Sequence, residues 1–130
     1  MILDTCFIID LMRGDEKAKL KLDEIFQLNE EHYISALTVF ELFSGVAQSS
    51  QSITEKQKVR NTLKSQNVIS LDYKNSELAG TIFGTQILSG NKLTVVDTMI
   101  AATAQLKGQA VLTRNIKDFQ KIPNTQVEGY

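Results

Sequence analysis

Four acidic residues are candidates for catalysis or metal binding in this sequence: Asp4, Glu41, Asp97 and Asp118. Three of them come soon after short apolar segments, and Glu41 lies inside the apolar run VFELF. Two like charges roughly 4 Å apart repel by about 4 kcal/mol at an effective dielectric of 20. Acids brought together would therefore favour a divalent cation such as Mg²⁺ or Mn²⁺, which prefers oxygen ligands. Such an ion can activate water and stabilise charge on a phosphodiester.

Taken one at a time, these acids have simpler explanations. Asp97 opens the Ala-rich segment VVDTMIAATA, and an acid in the first turn of a helix is favoured by about 0.3–1 kcal/mol. Asp4 would cap a following helix, and Asp118 would be a surface acid in a polar loop. Glu41 is the most informative, because a carboxylate between bulky apolar neighbours must find a cation, a hydrogen bond or a proton. The combination, more than any single residue, indicates a metal site.

The elements that must position these acids alternate between strand and helix. The predicted strands are Met1–Asp4, His32–Ala36, Val68–Leu71, Ala110–Thr113 and an edge strand around Val127. The predicted helices are Thr5–Met12, Lys17–Leu28, Leu37–Val46, Thr54–Lys64 with Thr54 as its cap, Asn75–Leu88 and Val96–Lys107. This alternation predicts an α/β fold with a parallel sheet covered on both faces. In such sheets ligands bind beyond the carboxyl ends of the strands, where these acids are expected.

Composition narrows the class of protein. The chain has 130 residues, 42% hydrophobic and 22% charged, which is typical of one globular domain over residues 1–130. A net charge of −1 argues against binding nucleic acid through a broad basic face. Cys6 is the one cysteine, so it has no disulfide partner and we expect it to pack as a small hydrophobe. With no membrane span or signal peptide evident, we expect a cytoplasmic protein with no membrane contact.

The motifs MILDTCFIIDLMRG, TVFELFSG, VVDTMIAATA and LTRNIKDF, in that order, resemble the PIN-domain nuclease family. The resemblance spans Met1 to Phe119, and within the family the chain is most similar to VapC-type toxins of toxin–antitoxin pairs. It implies a three-layer α/β/α sandwich with a central, mainly parallel sheet. It also implies a ribonuclease that hydrolyses RNA phosphodiester bonds with Mg²⁺ or Mn²⁺.

The resemblance also implies roles for individual residues. Asp4 and Asp97 would bind the metal most directly, and Asp118 would hold a second metal or a bridging water. Glu41 would complete the catalytic site or position water. The residues expected to hydrogen-bond this site are Thr5, Thr113 and Asn115. The chain departs from the family at Cys6, where many relatives carry Asn or Ser, and at Asn115, where some carry Asp.

Basic residues flank the expected site and are candidate RNA contacts: Arg13, Lys92, Arg114 and Lys117. Contact with phosphate would make binding salt-sensitive, whereas the alternative is ordinary solvated surface charge. Arg13 is also three residues from Asp10, and we expect these two to pair at the surface.

The resemblance implies partners as well: a homodimer, and a small antitoxin protein that occupies the groove of the active site. Apolar residues expected in the core or in a dimer contact are Phe40, Phe43, Phe83, Met99 and Ile100. Two alternatives stay open. The chain could be a PIN-type RNA-processing nuclease without an antitoxin, or a non-catalytic α/β module whose acids dock a basic peptide.

Overall fold

The computed structural model describes residues 1–130. Its strands are β1 (Ile2–Leu3), β2 (Tyr33–Ser35), β3 (Val68–Ile69), β4 (Val111–Leu112) and β5 (Val127–Glu128). Its helices are α1 (Thr5–Arg13), α2 (Glu16–Gln27), α3 (Ala36–Ala47), α4 (Ser52–Leu63), α5 (Tyr73–Leu88), α6 (Val95–Lys107) and α7 (Ile116–Phe119). Every predicted element is present, and α7 is an additional short helix that the apolar pattern did not indicate.

The five strands form one sheet in the order β3-β2-β1-β4-β5, and every neighbouring pair is parallel. The predicted parallel sheet is therefore confirmed. β1 lies at its centre, with Ile2 opposite Tyr33 on one side and Val111 on the other. Because the strands are parallel, their carboxyl ends share one edge of the sheet, and Asp4 and Thr113 lie there immediately after β1 and β4.

Successive residues of β1 face opposite sides of the sheet, as strand geometry requires. Leu3 belongs to a buried cluster that includes Phe7 and Ile8 of α1. Ile2 belongs to a second cluster that includes Ile100 of α6. Each cluster lies between the sheet and helices, so the three-layer α/β/α arrangement expected from the sequence is confirmed.

The ends of α1 place the residues around it. Asp4 is the N-cap, and Gly14 ends the helix in the left-handed region with φ of 81°. Glycine adopts this conformation without steric cost. Asp15 follows and caps α2 by accepting from the backbone N–H of Ala18. None of the helices combines the length and apolarity needed to cross a bilayer.

One prediction about a particular residue is wrong, and another is narrowed. Thr54 is not a cap, because Ser52 and Ile53 are already helical and Gln51 precedes them without a side-chain cap bond. Phe40, expected in the core or in a dimer contact, is 64% exposed, which excludes a place in the core. By contrast Ile100 is fully buried, as expected.

Candidate active site

Asp4 is almost fully buried and is held by three donors. The backbone N–H of Thr5 donates to Oδ1 at 2.7 Å, while the hydroxyl of Thr113 and the thiol of Cys6 reach Oδ2 at 2.7 and 3.0 Å. Each carboxylate oxygen has two lone pairs, so Oδ2 is fully used and Oδ1 keeps one acceptor position. The local sequence explains this arrangement, because a residue that ends β1 and caps α1 must point its carboxylate toward the first amides of the helix.

Glu41 reaches the same region from α3. Its Oε2 accepts a hydrogen bond from the hydroxyl of Thr5 at 2.5 Å, and that hydroxyl also lies 3.3 Å from the hydroxyl of Thr38. Burial raises the pKa of Glu41, the bond from Thr5 lowers it, and the charges of Asp4 and Asp97 raise it further, so the net shift is upward. Thr5 was expected to hydrogen-bond the acidic site, and its hydroxyl does so by joining α1 to Glu41 of α3.

Asp97 enters from the first turn of α6, where its N–H donates to the hydroxyl of Thr94 at 3.0 Å. Burial raises its pKa, a hydrogen bond with Thr94 lowers it, and the charges of Asp4 and Asp118 raise it again, leaving a net rise. Asp97 therefore lies in the first turn of α6, as expected, but Thr94 and not Asp97 is the N-cap of this helix. A small hollow of about 100 Å³ is lined by Lys92, Leu93, Thr94, Asp97 and Asp118.

Asp118 lies on the rim in α7. Its Oδ1 pairs with Nζ of Lys121 at 2.7 Å, and more than half of each of these two side chains is exposed. An exposed pair of this kind contributes at most about 1 kcal/mol. Asp118 is therefore the member of the set most loosely attached to the fold, and Lys121 is a neighbour that the sequence reasoning did not identify.

The four acids do not form a finished metal cage. The charge of Asp4 contributes to the raised pKa values of both Glu41 and Asp97, and Asp118, which lines the same hollow as Asp97, contributes to that of Asp97. However, no three side chains of the Asp, Glu, His and Cys types stand close enough to hold one ion as they are. An all-oxygen set of mutually repelling carboxylates fits Mg²⁺ or Mn²⁺. The fit requires the exposed members to rotate inward, where the charge of a bound divalent cation would offset their mutual repulsion.

Thr113 links the carboxylate of Asp4 to the loop after β4. Its buried hydroxyl donates to Asp4 and accepts from the backbone N–H of Asn115 at 2.9 Å. The structure thus brings Asn115 into the network through its backbone, not through the side chain that the resemblance emphasised. A single hydroxyl with one donor and two acceptor positions can serve both neighbours at once.

Cys6 takes a larger part than expected. It is buried, but its thiol contacts Oδ2 of Asp4 at 3.0 Å and the hydroxyl of Thr113 at 3.3 Å. Burial and the neighbouring charge of Asp4 raise the pKa of the thiol, so it stays protonated and acts as a donor. Interpreting Cys6 only as a small hydrophobe was therefore incomplete.

The predicted surface pair of Asp10 with Arg13 is wrong. Asp10 is buried, and both of its carboxylate oxygens contact one guanidinium nitrogen of Arg114, at 2.6 and 2.5 Å. The hydroxyl of Tyr130 donates to the same carboxylate at 2.7 Å. The apolar neighbours of Asp10 in FIIDLM were the available signal, since they are the same kind of context that singled out Glu41.

The other candidate RNA contacts occupy different surroundings. Lys92 lines the hollow with Asp97 and Asp118, and Lys117 is exposed on α7. Arg13 borders a groove of about 290 Å³ between α1, α3 and α4, which also contains Glu41. Apolar side chains of this groove are Ile9, Met12, Leu42, Val46 and Val59.

Comparison with known proteins agrees with this geometry. "Ribonuclease VapC19" of Mycobacterium tuberculosis is 29% identical over 127 residues, covering 96% of each chain. The "tRNA(fMet)-specific endonuclease VapC" of Salmonella typhimurium is 28% identical over 108 residues, covering 82% of each.

Solved structures show the same fold. In the DNA-bound VapBC of Salmonella typhimurium the matching chain has a TM-score of 0.87 at 26% identity, covering 98% of this chain and 96% of that one. For VapBC2 of Rickettsia felis bound to a promoter DNA fragment the TM-score is 0.90 at 23% identity, covering 99% and 97%. The model of the PIN domain matches residues 1–124. With this match across nearly its whole length, the chain belongs to the PIN domain family.

Proposed function

We propose that this protein is a metal-dependent endoribonuclease and the toxin of a type II toxin–antitoxin pair. The observation that carries the proposal is the buried carboxylate of Asp4 at the carboxyl edge of a parallel sheet, whose charge contributes to the raised pKa values of Glu41 and Asp97, within a chain that matches the PIN domain over residues 1–124. The names of the similar ribonucleases and of the VapBC complexes support the activity and the pairing. The proposed substrate is RNA, and the proposed site of action is the cytoplasm.

In this proposal Asp4 and Asp97 hold Mg²⁺ or Mn²⁺, and Asp118 completes the ligand set or holds a second ion. The ion supplies activation of water and stabilisation of the charge that develops on the phosphodiester. Asp4 suits the role because Oδ1 keeps an acceptor position while Oδ2 is anchored by Thr113 and Cys6. Asp118 can join by exchanging its exposed bond with Lys121, which costs little.

The chain's own residues then orient the reacting groups. Glu41, fixed by the hydroxyl of Thr5, holds a water molecule for in-line attack on phosphorus. Lys92 and Lys117 lie beside the acids and attract the phosphates of the RNA, which would otherwise be repelled by the carboxylates. Arg13, which lines the separate groove between α1, α3 and α4, contacts the backbone of the RNA further along.

The antitoxin would lie in the groove between α1, α3 and α4. Half of the residues that line the groove are apolar and Glu41 is among the others, so it suits an amphipathic segment whose basic side chain reaches Glu41. A segment bound there would exclude RNA from the site.

A homodimer is also part of the proposal. Large apolar side chains are exposed on α5 and α6 and around the turn between them: Tyr73, Ile87, Leu88, Val95 and Leu106. Single exposed apolar residues are ordinary, but a group on adjoining helices is typical of an interface. Light scattering at about micromolar concentration measures the mass, and a monomer would remove this part of the proposal.

The activity is tested by RNA cleavage with Mg²⁺ or Mn²⁺. We expect Asp4→Asn and Asp97→Asn each to lower the rate by at least about 100-fold, since each removes a metal ligand. Asp23→Asn, on the exposed face of α2, is the matched control and should cleave like the natural chain. Undiminished cleavage by both site variants would end the assignment.

The pairing with an antitoxin is tested separately by expressing the chain together with its neighbouring short reading frame. Co-purification of that product, with loss of RNA cleavage in the complex, is the expected result. A chain that cleaves RNA but captures no such partner would be a PIN-type processing nuclease. Capture of a basic peptide without metal binding or turnover would indicate the docking module instead.

A further inference from the structure

A second buried carboxylate lies close to the candidate active site but takes no part in the proposed chemistry. The side chain of Asp10 is only 9% exposed, and its two oxygens accept from Arg114 and from the hydroxyl of Tyr130. Burying a charge is costly unless it is paired and hydrogen-bonded. The three residues satisfy one another, and we refer to Asp10, Arg114 and Tyr130 as the clamp.

Each member of the clamp comes from a different segment of the fold. Asp10 lies in α1, the helix whose N-cap is Asp4. Arg114 lies in the loop between β4 and α7, and Tyr130 follows β5. The ring of Tyr130 packs edge-on against the buried Phe7 of α1, with ring centroids 4.8 Å apart. The clamp therefore joins the loop after β4 to the same helix that carries Asp4.

The loop after β4 also contains Thr113, whose hydroxyl donates a hydrogen bond to the carboxylate of Asp4. Thr113 directly precedes Arg114, and Asn115 directly follows it. The hydroxyl of Thr113 must donate to Asp4 while it accepts from the N–H of Asn115, which requires one particular path of the backbone through residue 114. Anchoring the side chain of Arg114 on Asp10 restricts that path.

A second contact leads from the clamp to the same carboxylate. The hydroxyl of Tyr130 lies 3.8 Å from the sulfur of Cys6, whose thiol donates to Oδ2 of Asp4. Both donors of Oδ2 therefore adjoin the clamp, Cys6 through Tyr130 and Thr113 through Arg114.

From these contacts we infer that Asp10, Arg114 and Tyr130 are positioning residues, which hold the loop of residues 113–115 so that Thr113 and Cys6 orient the carboxylate of Asp4. Arg114 accordingly serves the site through Asp10, and not as a phosphate contact. The consequence for metal binding and cleavage rests on the proposed function, whereas the constraint on the loop does not.

The test removes the hydroxyl of Tyr130 and keeps its ring. Tyr130→Phe preserves the packing on Phe7, and Tyr33→Phe is a matched control, because the hydroxyl of Tyr33 also donates to a carboxylate, Glu31, at 2.8 Å. Tyr33 begins β2, at the opposite edge of the sheet from Asp4. Asp10→Asn, which keeps the shape of the side chain, is the second variant.

Three quantities are measured on each full-length variant: amide exchange at Asn115, Mn²⁺ affinity by calorimetry, and kcat and KM for RNA cleavage. For Tyr130→Phe and Asp10→Asn we expect faster exchange at Asn115 and Mn²⁺ binding weaker by roughly 10-fold, the lower end for a residue that orients a ligand. We expect kcat to fall with KM unchanged, and Tyr33→Phe to match the natural chain in every measurement.

The outcomes separate the alternatives. If exchange at Asn115 is the same in Tyr130→Phe, Asp10→Asn and Tyr33→Phe, the inference is overturned. A rise in KM with unchanged kcat in Arg114→Gln would assign Arg114 to RNA binding and also overturn it. If the natural chain neither binds Mn²⁺ nor cleaves RNA, the proposed function fails, while amide exchange at Asn115 still decides whether the clamp holds the loop. If Asp10→Asn does not fold, Tyr130→Phe decides alone.

Discussion

The hydroxyl of Thr113 donates to Oδ2 of Asp4 at 2.7 Å, although the two residues stand 109 positions apart in the chain. The contact exists because β1 and β4 are adjacent parallel strands, so the residues that follow them meet at one edge of the sheet. Asp4 thereby receives a donor from a second element of the fold. The orientation of its carboxylate depends on both strands.

Thr113→Val keeps the shape of this side chain and removes its hydroxyl. We expect cleavage and Mn²⁺ affinity to fall by about 10- to 100-fold, because an orienting donor of a metal ligand is lost. The free energy of unfolding should fall by about 1–3 kcal/mol, since the buried carboxylate of Asp4 loses a donor and the backbone N–H of Asn115 loses its acceptor. Urea denaturation and RNA cleavage measure the two effects. Thr113→Ser should restore most of both; a Ser variant as impaired as Val would show that the methyl group, not the hydroxyl, matters.

Asp97→Asn should change stability and activity in opposite directions. The pKa of Asp97 is raised by burial and by Asp4 and Asp118, so its charge is unfavourable in the folded, metal-free chain. We expect the Asn variant to have a higher urea midpoint in EDTA and to lose RNA cleavage. Asp23→Asn, remote and exposed, should change neither quantity. A lower midpoint for Asp97→Asn would mean that the helix dipole outweighs burial and repulsion.

The stability of the metal-free chain should depend on pH. Glu41 and Asp97 have raised pKa values when folded, so the folded chain binds protons at a pH where the unfolded chain does not. Stability therefore increases as pH falls through the folded pKa values, and the gain is complete below the ordinary carboxyl values near 4. Melting in EDTA between about pH 7.5 and pH 5 checks the sign. The double variant Glu41→Gln, Asp97→Asn should melt at a temperature that varies less over this range.

Divalent metal should stabilise the folded chain at neutral pH. An ion that binds only the folded state, at a concentration about 100 times its Kd, adds about 2.7 kcal/mol to the free energy of unfolding. For a chain of this size the melting temperature should rise on the order of 10 °C. Differential scanning calorimetry with Mn²⁺ and then excess EDTA measures the rise and its reversal. Asp4→Asn should show little of it, and an equal rise in that variant would place the ion elsewhere.

Substitution of two phenylalanines should separate core from surface. Phe7 is fully buried between β1 and Tyr130, so Phe7→Ala should lower the free energy of unfolding by about 3–5 kcal/mol. Phe40 is 64% exposed, so Phe40→Ala should change it by less than about 0.5 kcal/mol in the monomer. Urea denaturation compares them directly. A large loss at Phe40 would show that another molecule covers this part of α3.

Much of the architecture follows from local sequence. The apolar runs that end at Asp4 and at Thr113 predict strands, and amphipathic segments between them predict helices, so the parallel sheet and its functional edge could be predicted. The residues at which helices begin were harder to predict from the local sequence. The predicted range Asn75–Leu88 starts two residues late, because the helix capped by Asp72 begins at Tyr73. Thr54 was a reasonable cap by type, but the chain becomes helical earlier.

Residue type and order alone identify Asp4, Glu41 and Asp97 as candidates for chemistry, because they follow or adjoin apolar elements of an α/β fold. Their long-range partners follow from the tertiary structure. The bond of Thr113 to Asp4, and the burial of Asp10 against Arg114 and Tyr130, depend on which strands are neighbours. The local sequence pattern indicates only whether a residue lies on a buried or an exposed face of its own helix or strand. Hydrogen bonds between segments more than 100 residues apart arise only once the sheet has brought β1, β4 and β5 together.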